Sequence, residues 1–193
     1  TRREEDAARI KVLGLHGMSK DAWKRFSDDG YRHYQVVETG FKYNMMDLQA
    51  AIGIHQLERV ERFWLRREAV WRRYMTELAD TPLVLPSAPA PRTRHGLHLF
   101  TVLVDEARCG LSRDAFLDGM TAQNIGVGVH YVSVPEHPVY QQRYGWRAEE
   151  WPEAMRIGRR TVSIPLTAGL TDDDVDDVIA AIRRVLGPRR SAA

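Results

Sequence analysis

From Asp47 to about Asp80, the apolar residues Leu48, Ile52, Leu57, Val60, Trp64, Trp71, Tyr74 and Leu78 recur at spacings of three, four or seven, with one five-residue step. Charges such as Arg59, Glu61, Arg66 and Arg73 fall between them, which is the pattern of one long amphipathic helix. At 1.5 Å per residue such a helix runs roughly 50 Å, more than a small domain is wide, so it is expected to bridge two bodies or line an oligomer interface. Phe63, Trp64, Trp71 and Tyr74 are then the aromatic face it offers to a partner. Pro82, Pro86, Pro89 and Pro91 stop the helix and make a connector up to Gly96, because proline lacks an amide donor and fixes φ. The expected division is therefore residues 1–80, carrying the long helix, and a second unit over 81–193.

The segments on either side are shorter and less regular. Glu4 to Leu13 reads as a helix ending at Gly14, followed by turn-forming and aromatic residues with no core pattern. Beyond the connector, Leu97 to Val104 and Ile125 to Val132 are strand candidates, with Thr161 to Ile164 a third. Ser112 can cap a helix running through Gln123. The final helix is the best signalled. Thr171 and Asp174 approximate a capping box, Asp172, Asp173 and Asp174 sit at the positive end of the dipole, and Arg183 and Arg184 sit near the other end before Gly187-Pro188. Its inward face is expected to be Val175, Val178, Ile179, Ile182, Val185 and Leu186. The sum is an α/β unit from residue 97 onward. The irregular stretch of about 30 residues before the long helix far exceeds the usual loop of roughly 4 to 6, as if it belonged to something larger.

Composition excludes several classes. The formal net charge of +2 gives no strong field for nucleic acid. No apolar run reaches the roughly 18 to 20 residues that span a bilayer, and the charged start offers no signal-peptide core. The single cysteine, Cys109, fits a reducing compartment, so a cytoplasmic location is expected. Seven histidines include no HExxH and no tight pairing with carboxylates, so no metal site is expected. GxSxG is absent, and Gly126-Val127-Gly128 lacks the third glycine of a dinucleotide loop. Of 28 basic residues only four are lysines, Lys11, Lys20, Lys24 and Lys42, so any lysine chemistry must use one of these.

Two segments retain chemical interest. Gly40-Phe41-Lys42-Tyr43-Asn44-Met45-Met46-Asp47 brings a cation and an amide to the start of the long helix, where an anion such as a phosphate can dock. The alternative is that Asp47 caps the helix and Lys42 and Asn44 are solvated loop residues. Gly128-Val129-His130-Tyr131 ends a predicted strand, and His130 is either a donor or acceptor to a polar ligand or a core histidine satisfied by backbone.

The runs HGMSKDAWKRF (16–26), GFKYNMMDLQAAIGIHQLERV (40–60), NIGVGVHYVSVPEHPVY (124–140) and TVSIPLTAGLTDDDVDDVI (161–179) together resemble the sugar aminotransferase family often labelled DegT/DnrJ/StrS. The resemblance implies a pyridoxal-phosphate enzyme of fold type I, the aspartate aminotransferase fold. Here it covers the end of the large domain, the long linking helix and the α/β small carboxy-terminal domain. It also implies that the lysine forming the aldimine with the cofactor precedes Thr1, since no lysine here matches that motif. No catalytic residue is then expected in this chain, which on its own is expected to be inactive.

Such enzymes act as homodimers with shared active sites, so the resemblance assigns Lys42 and Asn44 to the phosphate of the neighbouring subunit's pyridoxal phosphate. Many members read G-Y-N-Y-R where this chain has G-F-K-Y-N, so cation and amide are both kept but exchanged. His130 and Tyr131 are the implied sugar-nucleotide contacts. The implied reaction moves an amino group, usually from glutamate, to a nucleotide-linked keto sugar. The K-Y-N version and the HGM segment look most like the branch that aminates the 4-keto group of a UDP-linked pentose. A non-catalytic interaction module of the same fold and a pyridoxal-phosphate-dependent dehydratase of the same family remain the alternatives.

Overall fold

The computed structural model describes residues 1–19 and 35–187. Lys20, Lys24, the rest of the KDAWKRF run, Pro188 and the tail lie outside the described residues. The chain divides into two compact units, Thr1–Glu58 and Arg59–Ala193, so the boundary falls within the long helix and not at its end.

In the first unit, helix α1 (Glu4–Gly14) has Glu4, Glu5 and Asp6 in its first turn and Lys11 in its last, as the helix dipole favours. His16 (φ 57°) and Gly17 (φ 69°) then turn the chain through left-handed conformations. The returning segment pairs antiparallel to this turn, with bridges Met18 to Val36 and Leu15 to Lys42. Helix α2 (Asp47–Glu77) follows. Its entry is fixed by the Gln49 side chain, whose Oε1 accepts from the Met46 backbone N–H at 3.0 Å, rather than by Asp47. Apart from half-buried Ala50, the α2 residues of this unit are exposed, Leu48, Ile52 and Leu57 among them.

The second unit holds the core. Strands β1 (Phe100–Leu103) and β2 (Thr161–Ile164) pair antiparallel, with Phe100 opposite Ile164, Thr101 opposite Ser163 and Val102 opposite Val162. Single bridges extend the ladder on both sides, Val84 to Leu103 and Gly128 to Ser163. Phe100, Val102, Val162 and Ile164 are buried in one cluster with Trp71 and Tyr74 of α2, Phe116 and Met120 of helix α4 (Arg113–Ala122), and Val175, Val178, Ile179 and Ile182 of helix α7 (Asp172–Leu186). Each such side chain contributes about 1.5–3 kcal/mol by leaving water.

Charges along α2 and α7 then fix how these helices sit within this unit. Arg66 donates to Asp172 (2.8 Å) and to the Leu170 carbonyl (2.9 Å), while Arg73 reaches Asp176 and Arg183 reaches Asp80. Partners advance together along both helices, so the two run parallel.

Several expectations need correction. Trp71 and Tyr74 are not a face awaiting a partner: they pack edge-on against Phe100 at 4.6 and 5.1 Å between ring centres. The Tyr74 hydroxyl donates to the Pro165 carbonyl at 2.9 Å, and burial pushes its phenol up from the ordinary tyrosine range. The first strand starts at Phe100 and not Leu97, because Leu97 has φ 48° and its N–H is taken by His95 Nδ1 at 3.0 Å. Ile125 to Val132 is not a regular strand. Only Gly128 joins the ladder, and glycines at 126 and 128 weaken strand pairing. Three short helices escaped the pattern: α3 (Glu106–Cys109), α5 (Pro138–Tyr144) and α6 (Pro152–Gly158). The expected caps are present: Ser112 accepts from Ala115 N, and Thr171 and Asp174 form the complete box.

Candidate functional site

The GFKYN segment is held by main chain. Phe41 N donates to Leu13 O (2.7 Å), Tyr43 N to Gly14 O (2.9 Å) and His16 N to Phe41 O (2.8 Å). Gly17 and Gly40 make this approach possible: a Cβ on Gly40 would stand 2.1 Å from Gly17 N, and one on Gly17 would stand 1.7 Å from Glu38 O. The two glycines of the HGM and GFKYN runs therefore meet backbone to backbone.

Extended backbone alternates faces, so Phe41 and Tyr43 share one side, their rings stacked at 5.1 Å and 7°. Lys42 and Asn44 share the other, where Lys42 Nζ donates to Asn44 Oδ1 at 2.5 Å. Both predicted phosphate ligands are thus side by side. The ammonium has two further protons and the Asn44 amide has its own N–H pair, and no carboxylate pairs with Lys42 among the described residues. This is a donor set that suits a phosphate dianion.

In the second unit, His130 Nδ1 lies 2.9 Å from Ser163 Oγ, and Ser163 Oγ lies 3.4 Å from Thr101 Oγ1. Thr101 and Ser163 are directly opposite in the β1–β2 register, on the sheet face away from Phe100 and Val102. Gly128 leaves room for the imidazole: a Cβ there would meet His130 Cε1 at 3.2 Å. His130 is thus satisfied by a side chain, not by the backbone. Tyr131 packs edge-on to it at 4.8 Å and remains 74% exposed, so its face and hydroxyl are open to a ligand. Sequence reasoning missed Thr101, Ser163 and Gly128; the signal was a hydroxyl at the middle of each of two largely apolar strands. No group of three or more metal-ligating residues forms among the described residues, and no helix there is long and apolar enough to cross a membrane.

The model of the DegT/DnrJ/EryC1/StrS aminotransferase family matches residues 1–183. The chain belongs to that family. It is 42% identical over 184 residues to the spore coat polysaccharide biosynthesis protein SpsC of Bacillus subtilis, covering 95% of this chain and 47% of that protein. It is 37% identical over 190 residues to the uncharacterized protein MJ1066 of Methanocaldococcus jannaschii, covering 98% and 49%. The chain thus spans about half the length of the curated relatives it matches.

Among solved structures, the putative sugar aminotransferase Spr1654 of Streptococcus pneumoniae in its PMP form superposes with a TM-score of 0.80 at 25% identity, covering 96% of this chain and 44% of that one. DesV of S. venezuelae, in complex with a ketimine intermediate, superposes with a TM-score of 0.81 at 26% identity, covering 98% and 46%. The fold is therefore that of the fold-type I pyridoxal-phosphate-dependent sugar aminotransferases, of which this chain carries about half.

Proposed function

We propose that the whole protein is a pyridoxal-phosphate-dependent aminotransferase that moves an amino group from glutamate to a nucleotide-linked keto sugar, a UDP-4-keto sugar being the best fit. It acts as a cytoplasmic homodimer in which each subunit completes the other's site. The observation that carries this reading is the Lys42–Asn44 pair, presented by a segment that Gly17 and Gly40 hold rigidly.

Pyridoxal phosphate, when bound, supplies the electron sink for the transfer. The residues of this chain bind and orient. Lys42 neutralises one phosphate charge and donates two hydrogen bonds, Asn44 donates a third, and the main-chain pairing to α1 keeps both from swinging away. His130 and Tyr131 receive the sugar nucleotide, the imidazole as a polar contact and the exposed phenol ring as an amphipathic wall.

Pyridoxamine phosphate, which forms no covalent link, reads these contacts directly when titrated into the full-length protein. Lys42→Ala removes a charge-assisted hydrogen bond of about 1.5–3 kcal/mol, so affinity is expected to fall tenfold to a hundredfold, with Asn44→Ala costing less. Affinity unchanged in both variants, with the dimer intact, refutes the phosphate assignment.

A further inference from the structure

The contact between His130 and Ser163 has a direction. Three groups, the Thr101 hydroxyl, the Ser163 hydroxyl and a neutral imidazole, bring one proton each to two links, Thr101 to Ser163 and Ser163 to His130 Nδ1. If Thr101 donates to Ser163 and Ser163 donates to Nδ1, both hydroxyl protons have acceptors. Any other order leaves a hydroxyl proton without one, since neither side chain has another partner among the described residues. In the reverse order, Nδ1–H to Ser163 and Ser163 to Thr101, the idle proton is that of Thr101, which is half-buried and has no other partner among the described residues.

We propose that Thr101, Ser163 and His130 form a one-way hydrogen-bond chain that holds the His130 proton on Nε2, so that the imidazole meets the substrate as a donor to an acceptor oxygen. Ser163 is then a positioning residue acting through His130. Its own place is fixed by main chain: Gly128 N donates to Ser163 O at 3.1 Å and Ser163 N to Gly128 O at 2.7 Å, which sets the hydroxyl beside the ring. The missing Cβ of Gly128 lets the ring lie in that slot. Nε2 is not buried and has no protein partner among the described residues, so it is the nitrogen left for a ligand. The class of group it recognises follows: an oxygen with no proton to give, such as that of a phosphate or a ketone, in preference to a donor such as an ammonium. This ligand role rests on the reading of His130 as a substrate contact, whereas the chain itself does not.

The test is nitrogen-15 NMR of histidine-labelled full-length protein at pH 8.5, with the His130 signals assigned by their loss in His130→Gln. The expected result is a single Nε2–H tautomer. Ser163→Ala should shift it to a mixture or to Nδ1–H, Ser163→Thr should restore it, and Thr101→Val should leave it unchanged because Ser163 still donates. An Nδ1–H tautomer in the unaltered protein, or no change in Ser163→Ala, overturns the proposal. Uridine diphosphate is then added as probe. A downfield shift of the Nε2 proton supports donation to its phosphate oxygens. Binding that moves other resonances but not Nε2, with the tautomer as expected, leaves the hydrogen-bond chain standing and removes His130 from the substrate site.

Discussion

Replacing Gly40 with alanine tests whether the Lys42–Asn44 pair, proposed to bind phosphate, is held by backbone contact. The new Cβ would stand 2.1 Å from Gly17 N, 2.6 Å from the His16 carbonyl carbon and 2.8 Å from Gly17 Cα, all main-chain atoms that cannot rotate away. The nearest contact falls more than an ångström short of ordinary van der Waals separation. Either the two segments are forced apart within their hydrogen bonds, or the returning segment peels off and loses the bonds at His16, Phe41 and Tyr43. Overpacking and the loss of several main-chain bonds converge on about 2–4 kcal/mol for either route. Hydrogen exchange in the full-length protein measures this locally: Phe41 and Tyr43 amides should exchange roughly thirty- to several-hundred-fold faster, and pyridoxamine phosphate should bind more weakly. Gly14→Ala is the control, because nothing lies within 4 Å of a Cβ there. Unchanged protection in Gly40→Ala would show that the two glycines do not lock the segments together.

Thr161 is 1% exposed and its Oγ1 has no hydrogen-bond partner, so Thr161→Val should raise stability by about 1 kcal/mol in denaturant unfolding of the full-length protein. Thr171→Ala removes the α7 cap and should cost about 1 kcal/mol in the same assay. The Thr171 hydroxyl, and then its backbone N–H, hold the Asp174 carboxyl below the usual range. Its contribution is therefore present above about pH 4 and lost as pH falls through the lowered value, a slope that Thr171→Ala should flatten in acid titration. Burial pushes the Cys109 thiol up, so a disulfide-exchange reagent at neutral pH should modify it only as fast as the protein opens. Mixing a variant altered at the cofactor lysine of the upstream half with an Asn44→Ala variant should restore activity if sites are shared, and none despite subunit exchange would place Asn44 in its own subunit's site.

What the sequence showed depended on how local the cause was. The α7 cap and inward face were legible because Thr171, Asp174 and the spacing of Val175, Val178, Ile179 and Ile182 act within one helix. The burial of Trp71 and Tyr74 was not, because it depends on Phe100, which only strand pairing brings near. Periodicity marked one continuous face on α2, yet Leu48 and Leu57 are exposed here while Tyr74 and Leu78 are fully buried. Period alone gives the face of a helix and not what covers it. Ile125 to Val132 misled for a related reason: its composition is strand-like, but two glycines left a single bridge.

The same distinction separates the named site residues from those that make them work. Lys42, Asn44, His130 and Tyr131 stood out because their side chains carry charge, amide, imidazole or phenol. The residues that fix them carry almost nothing a sequence can advertise. Gly17 and Gly40 act by lacking a Cβ where two backbones meet, and Gly128 by lacking one where an imidazole lies. In the proposed hydrogen-bond chain Ser163 acts through one proton inside a largely apolar strand. In each unit the group proposed to face the ligand is thus held by main chain or by a buried hydroxyl, on backbone whose position depends on absent atoms. Substitutions as small as glycine to alanine or serine to alanine, at residues that need not touch the ligand, are therefore expected to disturb binding as much as removing the lysine itself.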